Sequence, residues 1–186
     1  MGQAQTALRS LVRCVSGGGK PRWEIYLDLQ CPYSRTMYNK LPDLKAAFGE
    51  EFEMIVRYTA LPFHFSAYPA LQMIHVPEVD RDAFAKKCFE EQERFYNAKT
   101  ATLNREQIYE ILAELAIESG CTLQKKELVE KAQDWKLATL PAWVEMKEAI
   151  RDRVMGTPIS AIDDVVVEGT ESAWGVEEWR AKLATL

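Results

Sequence analysis

Residues 23 to 38, Trp-Glu-Ile-Tyr-Leu-Asp-Leu-Gln-Cys-Pro-Tyr-Ser-Arg-Thr-Met-Tyr, constrain this chain more than any other stretch. Trp23, Ile25, Leu27 and Leu29 alternate with Glu24, Tyr26 and Asp28, a period of two that predicts a strand. At Pro32 the period changes. Proline suits the first turn of a helix, where its missing N–H costs nothing. Met37, Tyr38, Leu41, Leu44, Ala47 and Phe48 then follow at helical spacing. Cys31 therefore stands where a strand runs into a helix N-terminus, and unpaired N–H groups with the helix dipole favour a thiolate there. The opposing reading is a small apolar packing residue, since cysteines are commonly buried and inert. A strand-to-helix junction favours the reactive sulfur. Ser34 occupies the place where a second cysteine would complete a Cys-x-x-Cys pair, so this is a one-thiol site.

Pro42 lies inside the helical pattern and predicts a kink, and Gly49 is a natural C-cap. Residues 52 to 59 are rich in β-formers and read as a second strand, which makes a βαβ unit with a parallel pair. Helical patterns then cover 66–76, 81–96, 104–119, 123–134 and 141–154, with Asp80 and Asn104 as N-caps and Pro141 in a first turn. In the tail, 155–162 and Val165-Val166-Val167 flank Asp163-Asp164, which predicts a hairpin. Residues 176–183 close as an amphipathic helix. The Gly17-Gly18-Gly19-Lys20 run is followed by Pro21 rather than by a helix opening, so it is no phosphate-binding loop.

A formal charge of -5 argues against general binding to nucleic acid or anionic membrane. No apolar run is long enough for a transmembrane segment. Four scattered cysteines and two histidines suit neither a disulfide scaffold nor a metal centre. No secretory signal is visible, so a reducing, cytoplasmic compartment is the default expectation. Gly2 with Thr6 matches the loose N-myristoylation pattern, and Arg9 and Arg13 with no acid before Glu24 match a weak organelle-targeting helix. A plain cytosolic segment is preferred to either. No oligomeric state follows from the sequence.

The order βαβ, helical segment, ββα, with Asp28-Leu29-Gln30-Cys31-Pro32-Tyr33-Ser34, Leu61-Pro62-Phe63-His64, Gly156-Thr157-Pro158 and Gly175-Val176-Glu177-Glu178-Trp179, resembles the DsbA-like branch of the thioredoxin superfamily. The resemblance implies an α/β thioredoxin-like fold from 23–62 and 154–186, an all-helical insertion at 63–153, and an N-terminal segment at 1–22. It implies that Pro158 is a cis-proline facing Cys31 and that Thr157 presents backbone groups to a bound peptide or to glutathione. Family members that exchange disulfides use Cys-Pro-x-Cys, and this chain departs from them at Ser34. A serine hydroxyl is too weak a nucleophile to release a mixed disulfide.

The expected nucleophile is Cys31, with Ser34 donating a hydrogen bond to its sulfur. Pro32, Tyr33, Thr157 and Pro158 would contact substrate. Accessory candidates are Asp28, His64 and Cys14. Asp28 is either a proton-handling group or a solvent-facing strand end, and His64 is more simply a satisfied or surface histidine. Cys14 is the one stand-in for a resolving thiol, on condition that residues 1 to 20 fold back on Cys31. Cys88 and Cys121 read as packing residues, His75 carries no case beyond packing, and the tryptophans read as core and rim aromatics.

Three functions follow from the resemblance. The first is a thiol oxidoreductase acting on protein or small-molecule thiols and disulfides, with no bound cofactor and with glutathione as co-substrate. The second is an enzyme of the kappa-type glutathione transferase and isomerase kind. The third is a non-enzymatic peptide-binding module.

Overall fold

In the computed structural model, residues 19–186 are described. The strand expected at the start is β1, Arg22–Asp28, followed by α1, Pro32–Tyr38, and α2, Leu41–Phe48. The break between the two helices falls before Pro42, which sits in the first turn of α2 rather than bending one long helix. A proline there gives up no hydrogen bond, so the chain restarts a helix instead of kinking it. β2, Glu53–Thr59, runs parallel to β1 from Arg22↔Glu53 to Asp28↔Thr59.

Between β2 and β3 come α3 (Ala67–Met73), α4 (Arg81–Glu90), a 3-10 turn (Gln92–Arg94), α5 (Asn97–Thr100), α6 (Arg105–Glu118), α7 (Lys125–Gln133), a π-helical turn (Trp135–Thr139) and α8 (Leu140–Arg151). Local chemistry sets several of these ends. Asp80 accepts from the Ala83 N–H, and Asn104 and Gln107 form a reciprocal capping box that opens α6. The helical pattern over 81–96 breaks at Glu91, and α5 and the π turn have no separate periodicity to announce them.

β3 is Ile159–Ile162, β4 is Val165–Val166, and α9 is Val176–Leu183. The sheet order is β2-β1-β3-β4, with β3 antiparallel to both β1 and β4. Asp163 and Asp164 both have positive φ, the mirror-image turn that joins twisted strands, and aspartate tolerates it better than most residues. Asp163 also takes the Arg22 N–H on its carboxylate at 2.9 Å, pinning the turn to the start of β1. Strand β3 starts four residues later than the sequence pattern suggests, because 155–158 form a loop instead. This is a mixed α/β thioredoxin-like fold.

β1 is the central strand, and both of its faces are covered. Trp23, Ile25 and Leu27 enter the main core, where Trp23 meets Phe48 and Phe52 edge-on and lies 4.7 Å from the Trp179 ring. Glu24, Tyr26 and Asp28, the polar half of the alternation, are buried as well. Each has a partner. Glu24 takes two N–H groups of Arg57, the Tyr26 hydroxyl donates to Asp152 at 2.8 Å, and Asp28 faces His64. Buried polar groups persist only when satisfied in this way. Burial and the hydrogen bond to Asp152 push the Tyr26 phenol above its ordinary range.

Of the aromatics expected in the core or at its rim, Trp179 is buried while Trp135 and Trp143 are largely exposed. His75 has more than packing: its Nε2 lies 2.9 Å from Glu145, which also receives a hydrogen bond from Arg81. Among the described residues, no helix is long and apolar enough to cross a membrane.

Candidate active site

Cys31 is the N-cap of α1, and Pro32 supplies the first-turn residue. The turn that delivers it is closed by its own backbone: the Cys31 N–H donates to the Asp28 carbonyl at 3.0 Å. The side chain is only 3% exposed, and its Sγ donates to the Thr157 carbonyl at 3.3 Å. The Thr157–Pro158 peptide bond is cis. Two loops far apart in sequence therefore meet at the sulfur. The Thr157 hydroxyl is buried beside them and has no hydrogen-bond partner among the described residues.

Ser34 is buried one turn into α1, and its Oγ accepts the Asp28 N–H at 3.1 Å. The side-chain hydrogen bonds that this structure gives Ser34 and Cys31 run to Asp28 and Thr157, not to one another. The expected Ser34-to-sulfur bond is replaced by one that ties helix to strand end. The end of β1 has a free N–H pointing at the first turn of the helix, and a buried donor needs an acceptor.

Asp28 is not a solvent-facing strand end. It is fully buried; Oδ1 accepts the Gln30 N–H at 2.7 Å, Oδ2 accepts the Leu61 N–H at 2.8 Å, and the same oxygen lies 2.8 Å from His64 Nδ1. Asp28 thus joins the loop after β1 to the loop after β2. His64 retains part of its surface and packs edge-on against the Phe63 ring. Cys14 lies outside the described residues.

A set of amides that sequence reasoning passed over holds this arrangement in place. Gln92 is fully buried and gives its two amide protons to the carbonyls of Leu29 and Cys31, at 2.8 and 3.0 Å. Its own oxygen accepts from Tyr96. Gln30 reaches the Phe95 carbonyl and Asn97, and accepts the Ser66 N–H. Asn97 in turn bonds Phe63 and Phe65 through their backbones. The only available signal was Gln30 itself, a long amide beside the cysteine at a turn. Its partners lie more than thirty residues away, and no local pattern reveals them.

Several large apolar side chains on the neighbouring segments are exposed. Tyr33 is 65% exposed, and Phe63, Phe65 and Met155 are also well exposed, all on the loops just described or next to them in sequence. Isolated exposed apolar residues are ordinary; Tyr33 and Met155 stand near, in sequence, the two residues that meet at the thiol, and Phe63 and Phe65 flank His64.

No protein-family model matches the chain, and no curated protein sequence matches it. Solved structures do. A candidate protein-disulfide isomerase from Pseudomonas syringae superposes with a TM-score of 0.72 at 19% identity, covering 89% of this chain and 94% of that one. The oxidoreductase DsbA from Xylella fastidiosa gives 0.62 at 15% identity, over 90% and 86% of the two chains. BdbD from Bacillus subtilis gives 0.62 at 17% identity, over 89% and 88%. With Cys31 at the helix start and Thr157–Pro158 against it, the chain carries the thioredoxin-like fold seen in DsbA-like oxidoreductases.

Proposed function

We propose that this protein is a thiol–disulfide oxidoreductase that works through Cys31 alone, with an outside thiol of the glutathione kind completing each turnover. The observation that carries the reading is the meeting of Cys31 Sγ with the Thr157 carbonyl at 3.3 Å, at the head of a helix. A carbonyl held against the thiol marks where an extended sulfur-bearing chain would lie once the thiol has been displaced from it. The unpaired Thr157 hydroxyl offers such a chain a further polar contact. Tyr33, Pro32 and Pro158 would flank the bound group, and the exposed Phe63, Phe65 and Met155 would suit a peptide carrying apolar side chains.

The first step is attack of the Cys31 thiolate on a disulfide R–S–S–R′. A new S–S bond forms to give Cys31–S–S–R′, R–S⁻ leaves, and the protein is held as a mixed disulfide. Ser34 cannot resolve it, because a hydroxyl is far less nucleophilic than a thiolate and this one is committed to the Asp28 N–H. A second thiol must come from solution.

Intact-mass measurement after incubation with glutathione disulfide tests the reading. The expected product is one glutathione on Cys31, removed by reduced glutathione and absent in Cys31→Ser. A protein that takes up no glutathione, or takes it up equally in Cys31→Ser, would rule the mechanism out. Replacing Ser34 with Cys should add insulin disulfide reductase activity, with dithiothreitol as electron donor and no need for glutathione, because the second thiol would then sit one turn along α1.

A further inference from the structure

Asp28, at the turn that holds Cys31, is paired with His64 on the loop after β2, and nucleophilic attack has no use for either group. Asp28 is fully buried, and its carboxylate is met by three nitrogens, the N–H groups of Gln30 and Leu61 and Nδ1 of His64. A buried carboxylate is costly to keep, and this degree of satisfaction is what permits it. With Asp28 ionised, the proton shared at 2.8 Å belongs to His64 Nδ1, which leaves Nε2 with its lone pair. Nε2 has no hydrogen-bond partner among the described residues, and the His64 side chain keeps 15% of its surface exposed. An imidazole oriented through one nitrogen by a buried carboxylate, with the other nitrogen open, is the arrangement of a general base and its orienting group. The Asp28 carbonyl meanwhile receives the Cys31 N–H at 3.0 Å, so one residue positions both the sulfur and the imidazole.

We infer that His64, oriented by Asp28, is the general base that deprotonates the incoming thiol when the mixed disulfide on Cys31 is resolved. The inference rests on the one-thiol reading above, which requires that such a thiol arrive from outside. The incoming R″–SH gives its proton to His64 Nε2 while its sulfur attacks the outer sulfur of Cys31–S–S–R′. The R″–S–S–R′ bond forms, the Cys31–sulfur bond breaks, and its electron pair leaves on Cys31 Sγ. The proton on His64 then passes to that thiolate, which returns to its hydrogen bond with the Thr157 carbonyl. One disulfide is consumed and one is made, so no further oxidant or reductant enters. Asp28 is a positioning residue here: it selects the tautomer and offsets the charge of the transient imidazolium.

The experiment separates the two half-reactions in the full-length protein. Wild type, His64→Ala, His64→Asn and Asp28→Asn are loaded with the mixed disulfide of glutathione and 2-nitro-5-thiobenzoate, and adduct formation is timed by intact mass. The leaving thiolate of that reagent needs no proton, so loading is not the reverse of resolution by reduced glutathione. The isolated adducts are then mixed with reduced glutathione. His64→Asn retains a side-chain N–H for Asp28 and so guards against a variant that simply fails to fold. The expected result is adduct formation near the wild-type rate in both histidine variants. Resolution should be slower by about 10²-fold or more, the usual worth of a general base. Free imidazole should restore resolution in His64→Ala but not in Asp28→Asn. Equal slowing of both half-reactions, or no rescue by imidazole in a folded His64→Ala, would reduce the pair to a clasp between two loops. Resolution at the wild-type rate in His64→Ala would overturn the inference while leaving the one-thiol reading intact. A wild-type protein that forms no adduct would remove that reading itself.

Discussion

Cys31 and Cys88 are both free thiols and both nearly inaccessible, at 3% and 0% exposure, yet their surroundings have little in common. Cys88 lies on α4 between Phe84 and Phe89, inside the main apolar core, and burial alone pushes its thiol well above the ordinary range. Cys31 lies where two loops and a helix start meet. A carbonyl accepts from its sulfur, and a glutamine from another part of the chain clamps its backbone. Burial by itself does not distinguish the packing sulfur from the one proposed to react. What separates them is whether the groups within bonding distance are polar and whether the segment carrying the thiol can open without the core opening.

The largest effect that would break this comparison is a rate. Iodoacetamide applied to the native protein should modify Cys31 faster than Cys88 by about a hundredfold or more, because Cys88 reacts only when the core opens. Peptide mapping after timed quenching measures this. Equal labelling of the two would show that both thiols wait on the same global event.

Serine at the two positions should give opposite results. Cys31→Ser should abolish glutathione uptake yet cost less than about 1 kcal/mol in urea unfolding, since a hydroxyl can keep the bond to the Thr157 carbonyl. Cys88→Ser should leave uptake unchanged and cost roughly 1–3 kcal/mol, the usual price of an unpaired hydroxyl in an apolar site. A reversal of either half would mean that the two environments have been misjudged.

A smaller effect is expected from Gln92→Leu, which removes the donors to the Leu29 and Cys31 carbonyls. Loss of about 1–2 kcal/mol in unfolding, with slower glutathione uptake, is the predicted outcome for a clamp on the cysteine turn. The matching change beside Cys88, Phe89→Leu, should affect unfolding alone.

The smallest effect extends the same contrast from thiols to a carboxylate. Burial pushes the Glu145 carboxyl up, but the hydrogen bond from His75 and the charge of Arg81 outweigh it and hold the group below its ordinary value. A carboxyl depressed in the folded state adds stability above the unfolded pKa, and that stability is lost as pH falls through the folded one. At pH 7, Glu145→Gln should therefore unfold about 1 kcal/mol more easily than wild type. The gap should begin to close below about pH 4.3, the ordinary glutamate value, and vanish at lower pH. Urea melts at several pH values measure it, and a gap that widened in acid would contradict the assigned direction.

Much of this architecture was legible in the linear pattern because it is written in local rules. The period of two over Trp23 to Leu29 marked β1, and the proline after Cys31 marked the helix start. Asp80 and Asn104 marked their helices by capping chemistry, and Asp163-Asp164 marked the hairpin by a turn that few residue pairs enter easily. Less legible were features set by partners distant in the chain. Alternation in β1 marked a strand but not that its polar half, Glu24, Tyr26 and Asp28, would be buried with a partner for each. Asp28 looked equally suited to solvent because nothing near it in sequence shows that Leu61 and His64 will close over it. Ser34 was expected at the sulfur and instead answers a backbone donor on the adjoining strand.

The amino-acid order by itself determined which candidate groups are present: one cysteine at a strand-to-helix junction, no second thiol three residues on, and a Thr-Pro pair ahead of the closing hairpin. These depend on residue type and short spacing, which bonded neighbours enforce. Only the tertiary structure decided what meets the cysteine turn and its sulfur. The Thr157 carbonyl, the Gln92 amide and the Asp28–His64 pair come from four separate segments, and the sheet register and the helices between β2 and β3 bring them within 3.3 Å of their partners. A hydrogen bond needs position to within a few tenths of an ångström, and spacing along a chain cannot specify that across dozens of residues.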